Sequence, residues 1–278
     1  MNRSNRPKIG LALGSGGARG LAHIGVIKVL EENNIPIDFI AGSSIGAMIG
    51  GFYAAGLSIK EIEEIALNTS WRQIFSVLLD PHLKHGLISG KKVEEFIENY
   101  VNEKKFEESK IPFAAVATDL KTGEIVILDK EEMTPAIRAS ISIPLVFKPV
   151  EIAGRTLSDG GLSAPVPVEI VRNMGADVVI AVNLEKRYCD EEWKPGWYDI
   201  ANDSLNILRH HLALSTTKNA DVVVEVNLRD EGWYKFVNGQ SKILAGGNEM
   251  KRMLPALKKV IEEKNQSGWK KYFDFLKK

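Results

Sequence analysis

The chain has 278 residues, of which 44% are hydrophobic and 26% charged, a composition typical of globular proteins rather than disordered ones. Its 36 Lys and Arg residues balance 36 Asp and Glu residues, so no basic excess supports a nucleic-acid-binding function. The only cysteine, Cys189, excludes an internal disulfide and a cysteine-rich zinc site. No apolar stretch typical of a secretory signal precedes Ile9, and we therefore expect a protein of the reducing cytoplasm.

Residues 9–55 alternate predicted strands and helices. The apolar run Ile9–Leu13 predicts a buried strand, and apolar residues at helical spacing predict a helix over residues 21–32. A second buried strand is predicted at residues 37–41, followed by a helix of small residues at Ile45–Ala55. This order predicts an α/β fold with a mainly parallel central sheet that helices cover on both faces.

The rest of the chain continues as a mixture of helices and strands. Helices are predicted at Ile59–Leu67 and at residues 92–102, 166–174, 200–218 and 249–264. Strands are predicted at residues 112–118, Ile125–Leu128, Val150–Ile152, residues 155–157, Val178–Asn183 and residues 222–227. Because no internal repeat and no Gly/Ser-rich linker divides the sequence, we expect residues 1–278 to form a single domain.

One stretch, residues 40–57, imitates a membrane span. Its 18 residues carry no charge and include the G-x-x-x-G pattern from Gly46 to Gly50. Five glycines and two serines dilute its hydrophobicity, however. We therefore interpret it as a buried strand, a tight turn and a buried helix.

The sequence Gly42-Ser43-Ser44-Ile45-Gly46 has the pattern G-x-S-x-G and stands between a predicted strand and a predicted helix. In a nucleophile elbow, flanking glycines relieve the crowding of a sharp turn, and the following helix N-terminus favours negative charge. This context favours Ser44 as a nucleophile. The alternative is an ordinary capping serine in a glycine-rich turn.

Residues 14–20 form a glycine-rich loop between the first strand and the first helix, where backbone N–H groups can bind an anion. The dinucleotide pattern G-x-G-x-x-G fails here, because the sixth residue from Gly14 is Arg19 and a start at Ser15 begins with serine. The acidic residue that such a site needs at the end of the second strand is also missing, since Asp38 lies at its beginning. We therefore interpret the loop as an oxyanion hole beside Ser44.

No other segment predicts a nucleotide or metal site. Residues 86–92 resemble a P-loop but are one residue too short and lack Ser or Thr after the lysine. None of the histidines forms an H-E-x-x-H motif, and their spacing gives no metal site: His23, His82, His85, His210 and His211. We accordingly expect neither a metal nor a cofactor.

A serine nucleophile needs a general base, and Asp159 is the first candidate. It follows the predicted strand 155–157 in a glycine-bounded turn, although on this fragment alone an ordinary Asp-Gly turn residue is the favoured interpretation. A triad of Ser44, Asp159 and His210 or His211 would have the chain order of α/β-hydrolases. The triad is disfavoured because both histidines lie in a helical pattern and because the elbow comes unusually early in the chain.

Together these segments resemble the patatin-like phospholipases over residues 9–184. Residues 14–20 are similar to the glycine-rich oxyanion loop of that family, including the basic residue before the last glycine, Arg19. Residues 42–46 resemble its nucleophile elbow, and Asp159-Gly160-Gly161 resembles its D-G-G/A motif. One departure is Ser15, where the family usually has glycine.

Two further segments resemble bacterial members related to the neuropathy target esterase group. They are Ala117-Thr-Asp-Leu-x-Thr-Gly123, in which we expect Asp119 to be structural, and Arg138-Ala-Ser-x-Ser-Ile-Pro144. The resemblance implies a three-layer α/β/α fold. Residues 9–184 would form the catalytic core, and residues 185–278 a C-terminal extension that completes the fold.

The resemblance also implies a catalytic dyad without histidine. Ser44 would attack an ester carbonyl, and Asp159 would accept its proton. An unperturbed Asp has a pKa of about 3.9, so burial or direct hydrogen bonding must compensate for its weak basicity. The implied oxyanion hole comprises Gly16, Gly17, Ala18 and Arg19. The supporting glycines are Gly42, Gly46, Gly160 and Gly161.

Two segments raise the question of contact with lipid. Residues 188–198 carry four aromatic side chains and predict either a lid over an acyl groove or a plain surface loop with aromatics turned inward. Residues 251–278 have nine Lys and Arg against three acids, which gives +6, and end in a basic and aromatic sequence. A helix docked on the core is the favoured interpretation of that end, and peripheral contact with the inner face of a membrane is the alternative.

From these observations we predict a lipid acyl-ester hydrolase of the phospholipase A or lysophospholipase type, with a lipid or acyl-ester substrate. Two alternatives stay open. One is an esterase or acyltransferase for small soluble acyl groups, and the other is a non-catalytic regulator that binds lipid or protein. The sequence indicates no nucleic-acid partner and leaves the oligomeric state undetermined.

Overall fold

The computed structural model describes residues 6–68, 88–185, 196–228 and 238–275, with the side chains in these ranges except those of Tyr198 and residues 267–275. The strands are β1 (Ile9–Leu13), β2 (Phe39–Ser43), β3 (Phe113–Asp119), β4 (Ile125–Leu128), β5 (Val150–Ile152), β6 (Arg155–Asp159), β7 (Val178–Asn183) and β8 (Val222–Glu225). The α-helices are α1 (Ala22–Glu32), α2 (Ile45–Ala55), α3 (Ile59–Leu67), α4 (Lys91–Val101), α5 (Met133–Ser140), α6 (Val168–Asn173), α7 (Trp197–Thr216) and α8 (Gly239–Phe275). Short 3₁₀ helices at Gly17–Leu21 and Gly160–Leu162 follow β1 and β6.

The eight strands form one sheet in the order β5-β6-β3-β2-β1-β7-β8, with β4 also paired to β3. The pairs from β3 through β2, β1 and β7 to β8 are parallel, whereas β4, β5 and β6 join by antiparallel pairing. The prediction of a mainly parallel sheet is therefore confirmed. The carboxyl ends of its parallel strands share one edge, where α/β proteins place their sites.

Strand β3 has two partners in succession on one of its sides. Val116 pairs with Ser43 of β2, and the next residue, Ala117, pairs with Asp159 of β6. Both residues also pair with β4. Since a strand residue has one partner on each side, β4 covers one side of β3 while β2 and β6 share the other. The ends of β2 and β6 therefore meet.

The sheet separates two apolar layers. Leu11, Leu13 and their neighbours on one face pack against helices α1, α2 and α8 in the larger cluster of buried residues. Ala12 faces the opposite way, where small strand residues contact α6 and Ala213 of α7. This alternation along β1 is the period of two expected for a strand that is covered on both faces.

Most predicted elements are present, with shifted ends. Strand β2 begins at Phe39 rather than at residue 37, because the Asp38 carboxylate accepts a 2.7 Å hydrogen bond from the Ile9 N–H and binds the Arg6 guanidinium. Strand β6 extends to Asp159 instead of ending at residue 157. Helix α5 was not predicted.

Helix α8 begins ten residues before its predicted start, in spite of two consecutive glycines. A Cβ at Gly246 would lie 2.0 Å from the Ala22 carbonyl oxygen of α1, and a Cβ at Gly25 would lie 1.9 Å from the Ile243 oxygen of α8. The two helices therefore approach at backbone distance, where only glycine fits. Tertiary packing here outweighs the weak helix propensity of glycine.

The stretch that imitates a membrane span, residues 40–57, contains most of strand β2 and the whole of helix α2. In the ranges that the structure describes, no helix has both the length and the apolar character needed to cross a membrane.

Candidate active site

Ser44 lies in a sharp turn between β2 and α2. Its backbone has φ 56° and ψ −125°, a conformation that costs an L-residue on the order of 1–3 kcal/mol. The serine precedes the first residue of α2, yet its side chain makes no capping hydrogen bond to that helix. The Ser44 side chain therefore does not cap the helix, and a strained turn of this kind is what a nucleophile elbow requires.

The glycines of the elbow are required by close approach. A Cβ at Gly42 would lie 2.4 Å from the Gly46 carbonyl oxygen, and a Cβ at Gly46 would lie 2.2 Å from the Leu13 oxygen of β1. The first turn of α2 thus packs directly on the ends of two strands. Larger residues at either position would push the helix away and displace Ser44.

Asp159 ends β6 and contacts Ser44 directly. The Ser44 hydroxyl donates a 2.6 Å hydrogen bond to Asp159 Oδ2, and the Gly161 N–H donates a 2.7 Å bond to Oδ1. This contact follows from the pairing of β2 and β6 on one side of β3. It brings together two residues that stand 115 positions apart in the sequence.

The Asp159 carboxylate is fully buried, and burial raises its pKa to about 6. The charge of Arg209 and the hydrogen bonds from Ser44 and Gly161 oppose this rise, whereas the charge of Glu185 adds to it. A base with a pKa near 6 is much better matched to neutral pH than an unperturbed aspartate. Asp159 is still ionised in most molecules at pH 7.

The glycine-rich loop offers three backbone donors. Gly16 and Gly17 have φ values of 155° and 58°, and the N–H groups of Gly16, Gly17 and Ala18 donate no hydrogen bond to any residue that the structure describes. The loop flanks the pair formed by Ser44 and Asp159. Ser15 lies against Gly161, where a Cβ would be 2.9 Å from the Ser15 hydroxyl, and a Cβ at Gly20 would be 2.3 Å from the Ile45 side chain.

His23 binds the first residue of this loop, Gly14. Its Nε2 lies 2.8 Å from the Gly14 carbonyl oxygen, which can only accept, so Nε2 carries the proton. Burial lowers the pKa of His23 to about 4. The imidazole is therefore neutral at pH 7 and serves as a buried hydrogen-bond donor, a role that its sequence context did not indicate.

The segment from Arg138 to Ser142 contacts both Ser44 and Asp159. Ser140 Oγ accepts a 3.0 Å hydrogen bond from the Ser44 N–H, and the Ser142 carbonyl oxygen accepts one of 3.0 Å from the Asp159 N–H. The buried Arg138 guanidinium donates to Ser142 Oγ at 2.8 Å. The sequence motif did not indicate the contacts of Ser140 and Ser142 with Ser44 and Asp159, because these partners are 96 and 17 positions away in the chain.

Glu185, which the sequence did not single out, lies beside the loop at the end of β7. It is 2% exposed and accepts a hydrogen bond from the Ser15 hydroxyl. Arg19 Nη2 and Arg209 Nε each lie 3.6 Å from its carboxylate, and His210 Nδ1 donates to its backbone oxygen. Although burial opposes ionisation, Arg209, Arg19 and Ser15 hold the pKa of Glu185 below its usual value.

Neither histidine of the alternative triad lies between Ser44 and Asp159. His210 binds the Glu185 backbone oxygen and His211 is exposed, whereas Ser44 bonds to Asp159 without an intervening group. Asp119 Oδ1 accepts a 2.8 Å hydrogen bond from the Lys121 N–H in a turn, as expected for a structural residue. In the described ranges, no group of three His, Cys, Asp or Glu residues has a metal-binding arrangement.

Some predicted features fall outside the described residues. They include the start of the P-loop-like sequence 86–92 and most of the aromatic segment 188–198, of which Trp197 is described and is 77% exposed. The basic residues near the C-terminus lie partly beyond the described side chains as well.

Solved structures with the same fold differ widely in sequence. VipD from Legionella pneumophila aligns with 91% of this chain and 67% of its own, at a TM-score of 0.54 and 13% identity. ExoU in its complex with SpcU from Pseudomonas aeruginosa aligns with 93% of this chain and 53% of its own, at a TM-score of 0.51 and 17% identity. These similarities concern the fold.

Curated relatives are more similar in sequence. An uncharacterized NTE family protein of Mycobacterium bovis is 44% identical over 182 residues, which cover 65% of this chain and 50% of that protein. Human patatin-like phospholipase domain-containing protein 6 is 32% identical over 183 residues, or 63% of this chain and 13% of that protein. The chain thus matches half or less of the length of these relatives.

A sequence model of the family described as patatin-like phospholipase matches residues 11–172, more than half of the chain. This range includes the elbow, the glycine-rich loop and the Asp159-Gly160-Gly161 motif. The resemblance noted in the sequence, including its relation to the NTE group, is confirmed. The chain belongs to the patatin-like phospholipase family.

Proposed function

We propose that the protein is a serine hydrolase that cleaves acyl esters of lipids, with Ser44 as nucleophile and Asp159 as general base. The observation that carries this proposal is the 2.6 Å hydrogen bond between the Ser44 hydroxyl and Asp159 Oδ2 in a strained elbow. Membership of the family supports lipid acyl hydrolysis in general. The reaction would be of the phospholipase A or lysophospholipase type.

In the acylation step, Ser44 Oγ would attack the ester carbonyl carbon while its proton passes to Asp159. The negative charge that develops on the carbonyl oxygen would be stabilised by the N–H groups of Gly16, Gly17 and Ala18 and by the N-terminus of α2. Collapse of the tetrahedral intermediate expels the alcohol, which takes the proton from Asp159. The acyl group is then held as an ester of Ser44.

In the deacylation step, Asp159 would take a proton from water, which attacks the acyl-enzyme through the same oxyanion arrangement. The fatty acid leaves, and the proton returns to Ser44. Arg19 supports the loop in this scheme, because its buried side chain donates to the Gly16 oxygen at 3.2 Å and forms an ion pair with Glu185.

A lipid substrate is supported by the outer face of α7, the helix next to the site. Trp197, Ile200 and Leu208 are exposed on one side of it, and the polar residues Ser204, His211 and Ser215 complete that side. An exposed apolar stripe beside the site is suited to contact with lipid. Peripheral contact with the inner face of a membrane, from the cytoplasm, is the corresponding proposal for localisation.

The direct test is reaction with a fluorophosphonate, with the adduct located by mass spectrometry. We expect modification at Ser44, loss of modification in Ser44→Ala and much slower modification in Asp159→Asn. Ser43→Ala is a matched control, because Ser43 Oγ is buried beside the site and has no hydrogen-bond partner among the described residues. No adduct in folded wild-type protein would favour the non-catalytic regulator.

Substrate class requires a second assay. Phospholipid vesicles or micelles are compared with short soluble esters at equal enzyme concentration. Activity confined to short esters would contradict the lipid substrate and favour the esterase or acyltransferase alternative.

A further inference from the structure

Glu185 contacts two parts of the site, the glycine-rich loop and helix α7. Its carboxylate binds Ser15 and Arg19, which both belong to the glycine-rich loop. On its other side it binds Arg209, and its backbone oxygen binds His210, both from α7. The position after the end of β7 places this carboxylate between the loop and the helix.

These contacts bracket the N–H groups of Gly16, Gly17 and Ala18, which donate to no described residue. Ser15 directly precedes Gly16, and Arg19 directly follows Ala18. Gly16 and Gly17 have positive φ values and little intrinsic conformational preference, so the loop needs external contacts to hold one shape. Two side chains anchored on one buried carboxylate provide such contacts. Preorganised donors of this kind are what an oxyanion hole requires.

We propose that Glu185 is a positioning residue for the hydrolytic reaction, which fixes the oxyanion loop and, with Arg209 of α7, balances the charge beside Asp159. This inference rests on the proposed function, because it assigns a role in the same reaction. It concerns a residue that does not touch the reacting atoms.

The electrostatic part of the role follows from the opposite charges of Glu185 and Arg209. Glu185 raises the pKa of Asp159 and Arg209 lowers it, although burial has the largest effect. The other charged or titratable side chains at Glu185 are Arg19 of the loop and His210 of α7. Removing one member of the pair therefore changes the basicity of Asp159 in a direction set by the charge that is lost.

The test compares three variants of the full chain by the pH dependence of kcat/KM, the plateau kcat and thermal unfolding. Glu185→Gln keeps the size and the acceptor for Ser15 but removes the charge. Arg209→Met removes the opposing charge. Asp221→Asn is the matched control, since it breaks the 2.6 Å pair with Arg172 before β8, at the opposite edge of the sheet.

In Glu185→Gln we expect the acidic limb of the profile to move to lower pH and the plateau kcat to fall about 10- to 100-fold, with a smaller change in KM. In Arg209→Met the acidic limb moves to higher pH, and in Asp221→Asn it stays with wild type. If Glu185 and Arg209 only stabilised the fold, their substitutions would lower the unfolding temperature. The acidic limbs of the two variants would then not move in opposite directions.

Shifts in the same direction, or profiles that coincide with the control, would overturn the inference while leaving the proposed function intact. If wild type neither reacts at Ser44 nor hydrolyses any ester, the proposed function fails first and the inference falls with it. If Glu185→Gln does not fold, Ser15→Ala and Arg209→Met test the positioning role instead. Ser15→Ala is then expected to lower kcat with an unmoved acidic limb, and an unchanged kcat would contradict the positioning role.

Discussion

Asp159 and Glu185 are two buried carboxylates of the same site, and their pKa values are shifted in opposite directions. Asp159 is the last residue of β6, and Glu185 lies two residues after the end of β7. Burial raises the pKa of Asp159 to about 6, whereas Glu185 has a pKa held below its usual value by Arg209, Arg19 and Ser15 in spite of burial. Among the described residues Asp159 forms no ion pair, and its partners are the Ser44 hydroxyl and the Gly161 N–H. Burial without a directly paired cation leaves a carboxylate basic enough to take a proton, whereas burial between two guanidinium groups favours the ionised form, which is suited to holding a loop.

The largest expected effect is the loss of hydrolytic activity, which should be greater when Asp159 is replaced than when Glu185 is replaced. Ser44→Ala should lower kcat by about 10⁴-fold or more and Asp159→Asn by about 10³-fold, because the nucleophile and its base are lost. Glu185→Gln should retain clearly more activity than Asp159→Asn. Steady-state hydrolysis of a lipid ester checks this order, and equal losses in the two carboxylate variants would erase the distinction.

Substitution of the two carboxylates should change the free energy of unfolding with opposite signs. A pKa raised from 3.8 to about 6 corresponds to about 3 kcal/mol by which ionised Asp159 disfavours folding at pH 8. We therefore expect Asp159→Asn to increase the free energy of unfolding by up to this amount at pH 8. Because the folded-state pKa is the raised one, the gain is lost as the pH falls through 6 and is absent below about pH 3.8.

Glu185→Gln should instead destabilise the protein by about 3 kcal/mol at pH 8, because two guanidinium groups lose their buried partner. The folded pKa of Glu185 is lowered, so its contribution is present above the unfolded value and disappears as the pH falls. Denaturant unfolding of both variants at pH 8 and pH 4 measures these changes. Destabilisation in both at pH 8 would show that Asp159 is not held in a basic state.

The pH profile gives the next test. With Asp159 as base, kcat/KM of wild type should fall about 10-fold per pH unit below a pKa near 6. Because a histidine would titrate in the same range, His210→Gln is the control, and we expect its limb to change little. Loss of the limb, or of labelling at Ser44, in His210→Gln would instead identify that histidine as the base.

The smallest effect concerns α7, whose inner side supplies Arg209 and whose outer side is apolar. Trp197→Ser and Leu208→Ser should lower binding to phospholipid vesicles by about 3- to 10-fold through lost apolar burial. Leu244→Ser is the matched control, since Leu244 is 56% exposed on α8. Sedimentation with vesicles measures the binding. Truncation at Gly268 tests the basic C-terminal segment in the same assay, and unchanged binding would contradict its contact with the membrane.

Local patterns predicted the elements that carry the site. The elbow was recognisable because glycines on either side of Ser44 are needed within one turn, and the loop of residues 14–20 because it joins a strand to a helix. The full length of α8 was not recognisable, since its glycines are stabilised by contact with α1, more than 200 positions earlier in the chain. Propensity judged residue by residue contains no information about such a partner.

The α/β class, the sharp turn at Ser44 and the glycine-rich loop could be predicted from the sequence because each depends on neighbours within a few residues, whereas Asp159 was indicated as the base by the family resemblance. The pairing of β2 and β6 with successive residues of β3, which brings Asp159 to Ser44, became visible in the three-dimensional fold. The fold also shows that Ser140 and Ser142 connect the two and that Glu185 lies between the loop and α7. These contacts join residues 17 to 170 positions apart, and their effect on the pKa values of the two carboxylates arises only when burial and neighbouring charges are set together by the fold.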